Sequence, residues 1–235
     1  MLPRCLRFNQ LLGVDGVELQ TRDGTKCMAL NMVCHGTGLQ IVIPMWDGYD
    51  SSKVTRVLKQ HWVQHYGWPE IVIHGQGTEF MGHIFQDAMA AQGILTVPIG
   101  SQSPWQNGKT ERAGGSFKLQ LWDMDEECHI EGREEFESAC AECCDARNRY
   151  CNRSGYSAHQ RVFGSSLRLL GSLLSDDPID RQLLASDPYT EFSKSNAMRS
   201  AAQQALFKQN TTRAVQTARL ARSRTQPREM LGRAG

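Results

Sequence analysis

The stretch between Ile71 and Lys118 constrains the fold more than any other part of the chain. Ile71-Val72-Ile73 is short, apolar and β-branched, as a strand buried on both faces of a parallel sheet must be. A polar turn follows, His74-Gly75-Gln76-Gly77-Thr78-Glu79-Phe80, then a helical segment over 82–91 closed by Gly93, then a last strand over 94–97. Two strands joined through a helix pair in parallel. Beyond the polar loop 100–103, Asn107-Gly108 makes a turn and a long helix starts at Lys109, running over 109–123. Gly114 and Gly115 weaken that helix locally and permit close backbone approach.

Upstream, alternating apolar residues predict three strands over 11–19, 26–35 and 39–44, with Arg22-Asp23-Gly24-Thr25 as a hairpin turn. Asp15 shares a strand face with Leu11, Gly13 and Val17. A carboxylate among apolar neighbours is costly unless it is paired or holds a metal, so Asp15 is either a solvated strand-end residue or a ligand. Asp47-Gly48-Tyr49-Asp50 breaks the strand pattern, and Ser51 or Ser52 is placed to cap a helix. That helix carries Val54, Val57, Leu58, Trp62 and Val63 on one face and ends at Gly67-Trp68-Pro69. A further helix is expected over 132–149, with Phe136, Ala139, Cys140, Cys143 and Cys144 on its apolar side. Residues 156–164 and 167–174 read as an irregular apolar connection. The Ala-rich run 197–222 reads as a helix with little apolar stripe, hence peripheral or dependent on a partner.

Two signatures then stand out: Gly75-Gln76-Gly77-Thr78-Glu79-Phe80 and Pro104-Trp105-Gln106-Asn107-Gly108-Lys109-Thr110-Glu111-Arg112. Together they resemble the catalytic core of retroviral-type integrases, as carried by gypsy- and copia-like LTR retrotransposons. That family reads Asp-Gln/Asn-Gly-Thr-Glu-Phe at the first turn and Pro-x-x-Asn-Gly-x-x-Glu-Arg at the second, with 35 residues between its last two catalytic acids. Position 75 and Glu111 keep that spacing, but position 75 is Gly. The resemblance covers 9–164 and implies an α/β, ribonuclease H-like core: a mixed five-stranded sheet flanked by helices. An irregular connection over 165–192 and a basic, mainly helical C-terminal extension over 193–235 complete the expected organisation.

The resemblance also implies metal-dependent polynucleotidyl transfer on DNA, in a homo-oligomer, with two Mg²⁺ (or Mn²⁺) ions roughly 3.5–4 Å apart. Asp15 would bridge both ions and Glu111 would hold one, as catalytic residues and metal ligands; Gly75 stands where the remaining carboxylate belongs. Impaired activity is therefore expected. Glu79, His74, Asp47 and Asp50 are the neighbours available as substitutes, and imidazole suits Zn²⁺ better than Mg²⁺.

Charge is unevenly spread. Residues 193–235 carry nine Lys/Arg and one acid, Glu229, a net of +8, in a chain whose total is +1. Residues 123–145 carry ten acids and the single base Arg133, a net of −9. A basic tail is a footprint of nucleic-acid contact, so Arg213, Arg219, Arg222 and Arg224 join Lys109, Arg112 and Lys118 as candidate DNA-binding residues, with solvated surface or linker positions as the alternative. Lys118 falls on the Glu111 face of its helix.

Neither a membrane span nor a signal peptide is visible, so an intracellular, reducing location is expected, nuclear when acting on DNA. The 8 Cys then read as thiols; a zinc site among Cys128, His129, Cys140, Cys143, Cys144 and Cys151 lacks a second Cys-x-x-Cys. His35 and His74 read as strand-end residues. No zinc module is legible before Asp15 and no barrel domain after the core, which reads as an excerpt or decayed copy of a longer polyprotein. The rival readings are a non-catalytic DNA-binding or dimerisation module and a ribonuclease H-type nuclease.

Overall fold

A computed structural model describes residues 7–99, 107–150, 155–165 and 191–220. Its centre is one sheet of five strands in the order β3-β2-β1-β4-β5. β1 (Leu11–Gln20), β2 (Lys26–Cys34) and β3 (Gln40–Met45) form an antiparallel meander, and β4 (Ile71–His74) and β5 (Leu95–Pro98) add in parallel beside β1. The fold class is the one expected: a mixed sheet flanked by helices.

Alternation along β1 divides the core. Leu12 and Val14, with Leu30 and Met32 of β2, face a cluster that includes Val54, Trp62, Phe80 and Phe85. Those side chains come from α1 (Ser51–Leu58), its continuation through a π-helical turn (Lys59–Val63) and α2 (Gln64–Tyr66), and from α3 (Thr78–Met81) and α4 (His83–Ala90). Val17 and Leu19, with Cys27 and Ala29, face Phe117, Leu121, Phe136 and Cys140 on the other side. These belong to α5 (Gly108–Cys128) and α6 (Gly132–Arg149). A short helix, α7 (Ala158–Phe163), follows, and its start is fixed by a reciprocal pair of bonds between Ser157 and Gln160.

Three expectations are corrected. Asp50, not Ser51 or Ser52, caps α1: its carboxylate accepts from the Lys53 N–H. Ser51 instead accepts from the Phe85 N–H, tying α1 to α4. Residues 78–81, read as turn, form the one-turn helix α3, and Phe80 from it is fully buried. Of the connection read as irregular, residues 158–163 are the helix α7; 167–174 lie outside the described residues.

The largest departure concerns the last helix, α8 (Glu191–Leu220). It packs on α5 and α6 rather than standing apart. Its contact stripe is Met198, Ala201, Ala202, Ala205 and Leu206, mostly too small to register as a hydrophobic face but small enough to let helices approach closely. The buried Gln120 of α5 donates to the carbonyls of Ala202 and Cys143, bridging all three helices. Arg199 donates twice to the Glu142 carboxylate, from Nε at 3.0 Å and Nη2 at 2.9 Å, and Lys194 pairs with Glu135. The first half of the basic extension thus neutralises part of the acidic band on α6.

A buried polar chain crosses the sheet face under α5 and α6. Asn31 donates to the Thr110 carbonyl at 3.1 Å, Gln40 donates to Asn31 Oδ1 at 2.9 Å, and Arg147 Nε donates to Gln40 Oε1 at 2.7 Å. Asn148 exchanges two bonds with the Gln40 backbone. Each such buried bond contributes about 1 kcal/mol net, but leaving one partner unmet costs more.

If α8 is an integral layer, bulk at its contact stripe must destabilise the whole domain. Ala202→Leu is expected to lower unfolding stability by about 1–3 kcal/mol through overpacking, while Ala214→Leu, on the exposed side, stays within about 0.5 kcal/mol of the parent. Urea unfolding of both variants decides it, and equal stabilities would mean that α8 does not pack as described.

Candidate functional site

Asp15 lies midway along β1, opposite Asn31 of β2, on the face that α5 crosses. Two residues earlier, Gly13 makes the crossing possible: a Cβ there would sit 2.0 Å from Thr110 Oγ1 and 2.7 Å from His35 Nε2. Further along, a Cβ on Gly114 would meet Val17 and Asn31 at 3.1 and 3.2 Å. Glycine at 13 and 114 therefore lets α5 lie directly on β1, and Gly115, with nothing within 4 Å, plays no such part.

The start of α5 is held from several sides. His35 Nε2 bonds Thr110 Oγ1 at 2.9 Å, Lys109 Nζ donates to the His35 carbonyl, and Asn31 donates to the Thr110 carbonyl. Glu111, next in sequence, is exposed in the first turn, where a carboxylate suits the positive end of the helix dipole. Burial pushes the Asp15 carboxyl up to about 6; the nearby Glu111 and Glu79 charges add to this, while the Gly16 backbone bond and Lys118 oppose it. Asp15 and Glu111 are thus brought within electrostatic reach of one another, with Lys118 on the same side.

Gly75 follows β4 directly, and β4 pairs with β1 up to Val14↔His74. Its φ lies outside the left-handed region and a Cβ added there meets nothing within 4 Å. The position is ordinary backbone opening on free space. Glu79 bends back over Gly77, whose added Cβ would lie 2.1 Å from Glu79 Oε1. His74 is buried, bonds the Gly75 carbonyl through Nδ1 at 2.7 Å and packs on Phe80 and Phe85, so it serves the core.

No group of three or more His, Cys, Asp or Glu able to hold a metal ion occurs among the described residues. Asp15 and Glu111 are present and position 75 carries no side chain, so the residues present do not make up the three-carboxylate set that the resemblance implies for a two-ion site. The described cysteines, Cys27, Cys34, Cys128, Cys140, Cys143 and Cys144, are free thiols. No helix among the described residues is long and apolar enough to cross a membrane.

The remaining candidates divide. Lys109 is spent on the His35 carbonyl, and Arg112 folds back on the Gly108 carbonyl at 2.6 Å. Arg213 reaches α5, donating to Ser116 Oγ at 2.7 Å. Arg219 is exposed near the end of α8. Arg222 and Arg224 lie outside the described residues. The contribution missed in the sequence is that of His35 and Asn31, which fix the Glu111 helix from β2; their polarity inside an apolar strand was the available signal.

No family model matches the chain, and neither does any curated protein. Solved structures do. A simian T-cell lymphotropic virus intasome in complex with PP2A regulatory subunit B56 gamma aligns at TM-score 0.62 and 18% identity, over 72% of this chain and 59% of that one. The HTLV-2 integrase catalytic core, solved with magnesium in a trimeric form, aligns at TM-score 0.57 and 19% identity, over 67% of this chain and 98% of that one. The BIV integrase catalytic core aligns at TM-score 0.52 and 18% identity, over 65% and 92%. The chain has the ribonuclease H-like fold of retroviral integrase catalytic cores, and it spans 59% of the intasome chain it matches.

The clamp at the start of α5 carries its own pH signature. Burial, then the Lys109 charge, lowers the His35 pKa to about 4 from its ordinary 6.5. The unfolded chain takes up this proton first, so stability present above pH 6.5 is lost as pH falls toward 4. Between pH 7 and 4.5 the parent should lose about 2 kcal/mol more than His35→Gln, whose residue 35 does not titrate. Urea unfolding at both pH values measures the difference, and identical losses would remove His35 from the account.

Proposed function

We propose that this chain is an integrase-type core that engages DNA and whose metal-dependent strand-joining chemistry is impaired. The observation that carries the reading is that Asp15 on β1 lies within electrostatic reach of Glu111 on α5, with Gly75 open at the end of the neighbouring strand β4. In this reading the two carboxylates belong to one site, and the third that the resemblance implies is absent from a backbone able to bear it. When bound in such a core, two divalent ions supply the charge stabilisation for phosphoryl transfer. This chain's residues do not complete that set, so no joining step is assigned to it.

What the chain's own residues do is hold and orient. Asn31, His35 and Gly13 fix the start of α5, and that in turn keeps Glu111 within electrostatic reach of Asp15. Lys118 lies near Asp15, where it can meet a strand phosphate. Arg219 extends the positive surface along α8. Partners in this reading are DNA and further copies of the chain, as in the trimeric HTLV-2 core; the setting is the nucleus, and the source a mobile element of the LTR kind. The second reading, a non-catalytic nucleic-acid-binding module of the same descent, is favoured specifically by the missing carboxylate at 75.

The test is restoration. The unmodified protein should show no joining on a disintegration substrate with Mg²⁺ or Mn²⁺, a rate reduced by roughly a thousandfold or more, about 4 kcal/mol in barrier. Gly75→Asp should bind Mn²⁺ roughly tenfold or more tightly than the parent, by calorimetry, whereas the uncharged Gly75→Asn should not. Unchanged Mn²⁺ affinity in Gly75→Asp would sink the reading of this site. Joining by the unmodified protein that disappears in Glu79→Ala would show instead that Glu79 has taken the missing place.

A further inference from the structure

Where α8 docks, a half-open cavity of about 200 Å³ lies between it, the end of α6, the start of α7 and the β2–β3 turn. Thr37, Gly38, Arg147, Tyr150, Asn210 and Arg213 line it. Two guanidinium groups from different helices share this space. Among the described residues Arg147 spends only Nε, on Gln40, and Arg213 only one bond, on Ser116. Each has five N–H donors, so the greater part of both forks is left over. Neither has a carboxylate partner among the described residues. The nearby acids of α6 are committed elsewhere, Glu142 to Arg199 and Asp145 to Arg149 at 2.5 Å. Burial, with the Arg213 charge beside it, pushes the Arg147 guanidinium below its ordinary value.

Two like charges sharing one space, the largely buried Arg147 beside the more exposed Arg213, are unfavourable without an anion between them. We infer that this cavity is a phosphate site, in which the Arg147 and Arg213 forks clasp the oxygens of one phosphate group, with the Thr37 and Tyr150 hydroxyls and the Asn210 amide within the same lining. Arginine forks match phosphate oxygens in geometry as well as charge. The volume, about seven waters at roughly 30 Å³ each, admits a phosphate with part of its hydration. The group comes either from a nucleic-acid backbone, which rests on the function proposed above, or from free phosphate, which does not.

The site is wired to the Asp15 face. Arg147 is the end of the buried chain that passes through Gln40 and Asn31 to the Thr110 carbonyl, next to Glu111. Arg213 touches α5 at Ser116, whose hydroxyl in turn donates to the Arg112 carbonyl. A phosphate bound here also bridges α8 to α6, so it should stabilise the docked helix.

The experiment uses the full chain and inorganic phosphate, with ionic strength held constant by sodium chloride. Phosphate at tenfold excess over its Kd should raise Tm by about 3 °C. Arg213→Gln and Arg147→Lys should abolish the rise, and Lys208→Gln, exposed elsewhere on α8, should keep it. No rise in the parent, or an equal rise in Arg213→Gln, overturns the site. A second arm measures binding of a labelled DNA duplex against salt. If a backbone phosphate is the ligand, Arg213→Gln flattens the slope of log affinity against log salt by about 0.9, and inorganic phosphate competes. An unchanged slope with the thermal effect still lost in Arg213→Gln assigns the site to free phosphate. Failure of the parent to bind DNA at all removes the proposed function and leaves the thermal arm to judge the phosphate site by itself.

Discussion

Asn31 donating to the Thr110 carbonyl is the contact on which the arrangement of this protein turns. It joins the middle of the sheet to the first turn of α5, and it does so in a buried setting, where an unmade bond is expensive. With Gly13 withdrawn to admit Thr110, the helix can start at only one place and height over β1. Glu111, the residue after Thr110, is thereby held within electrostatic reach of Asp15. The same amide accepts from Gln40, which is held by Arg147 and Asn148, so the far end of α6 is set by the same requirement. Polar specification inside an apolar sandwich gives the domain its register.

Most of the sheet was legible because its signals are local. Alternation in 11–19 and 26–35 and the β-branched run at Ile71 act over neighbours, and the observed strands follow them within about a residue or so. Helix 132–149 was legible for the same reason, since its apolar face and the Gly132 turn lie in one window. The cap of α1 was misread because Asp50 and Ser51 are both good acceptors; the choice falls to Ser51's second use, on Phe85 of α4, which no local window contains. The docking of α8 was illegible because alanine contributes little to any hydrophobic pattern, although a row of alanines is what allows three helices to share Gln120. In the site, Asp15, Gly75 and Glu111 were visible as a spacing. The Arg147–Arg213 pair was not, since it exists only after α8 has docked.

Electrostatics and packing pull in different directions along α8. Its first turns are drawn to the acidic face of α6 through Arg199 and Lys194, and those charges are used up there. Its later turns run past the acids and keep Arg213 and Arg219 unneutralised. A net charge of +8 on the extension in the sequence therefore overstates what remains for a partner and mislocates it. Among the described residues of α8, Lys194 and Arg199 are neutralised by α6, while Lys208, Arg213 and Arg219 have no carboxylate partner.

Gly75 has a consequence for how such a protein ages. It is unstrained, and its missing side chain would meet no neighbour. A carboxylate there would add negative charge near Asp15, already burdened by Glu111 and Glu79. Folding therefore gains nothing from an acid at this position. Selection for a soluble, intact domain is blind to its loss, and only selection for the reaction would keep it. On the proposed reading of position 75, a lineage can shed the chemistry in one substitution and keep the architecture unchanged for as long as the folded body remains useful.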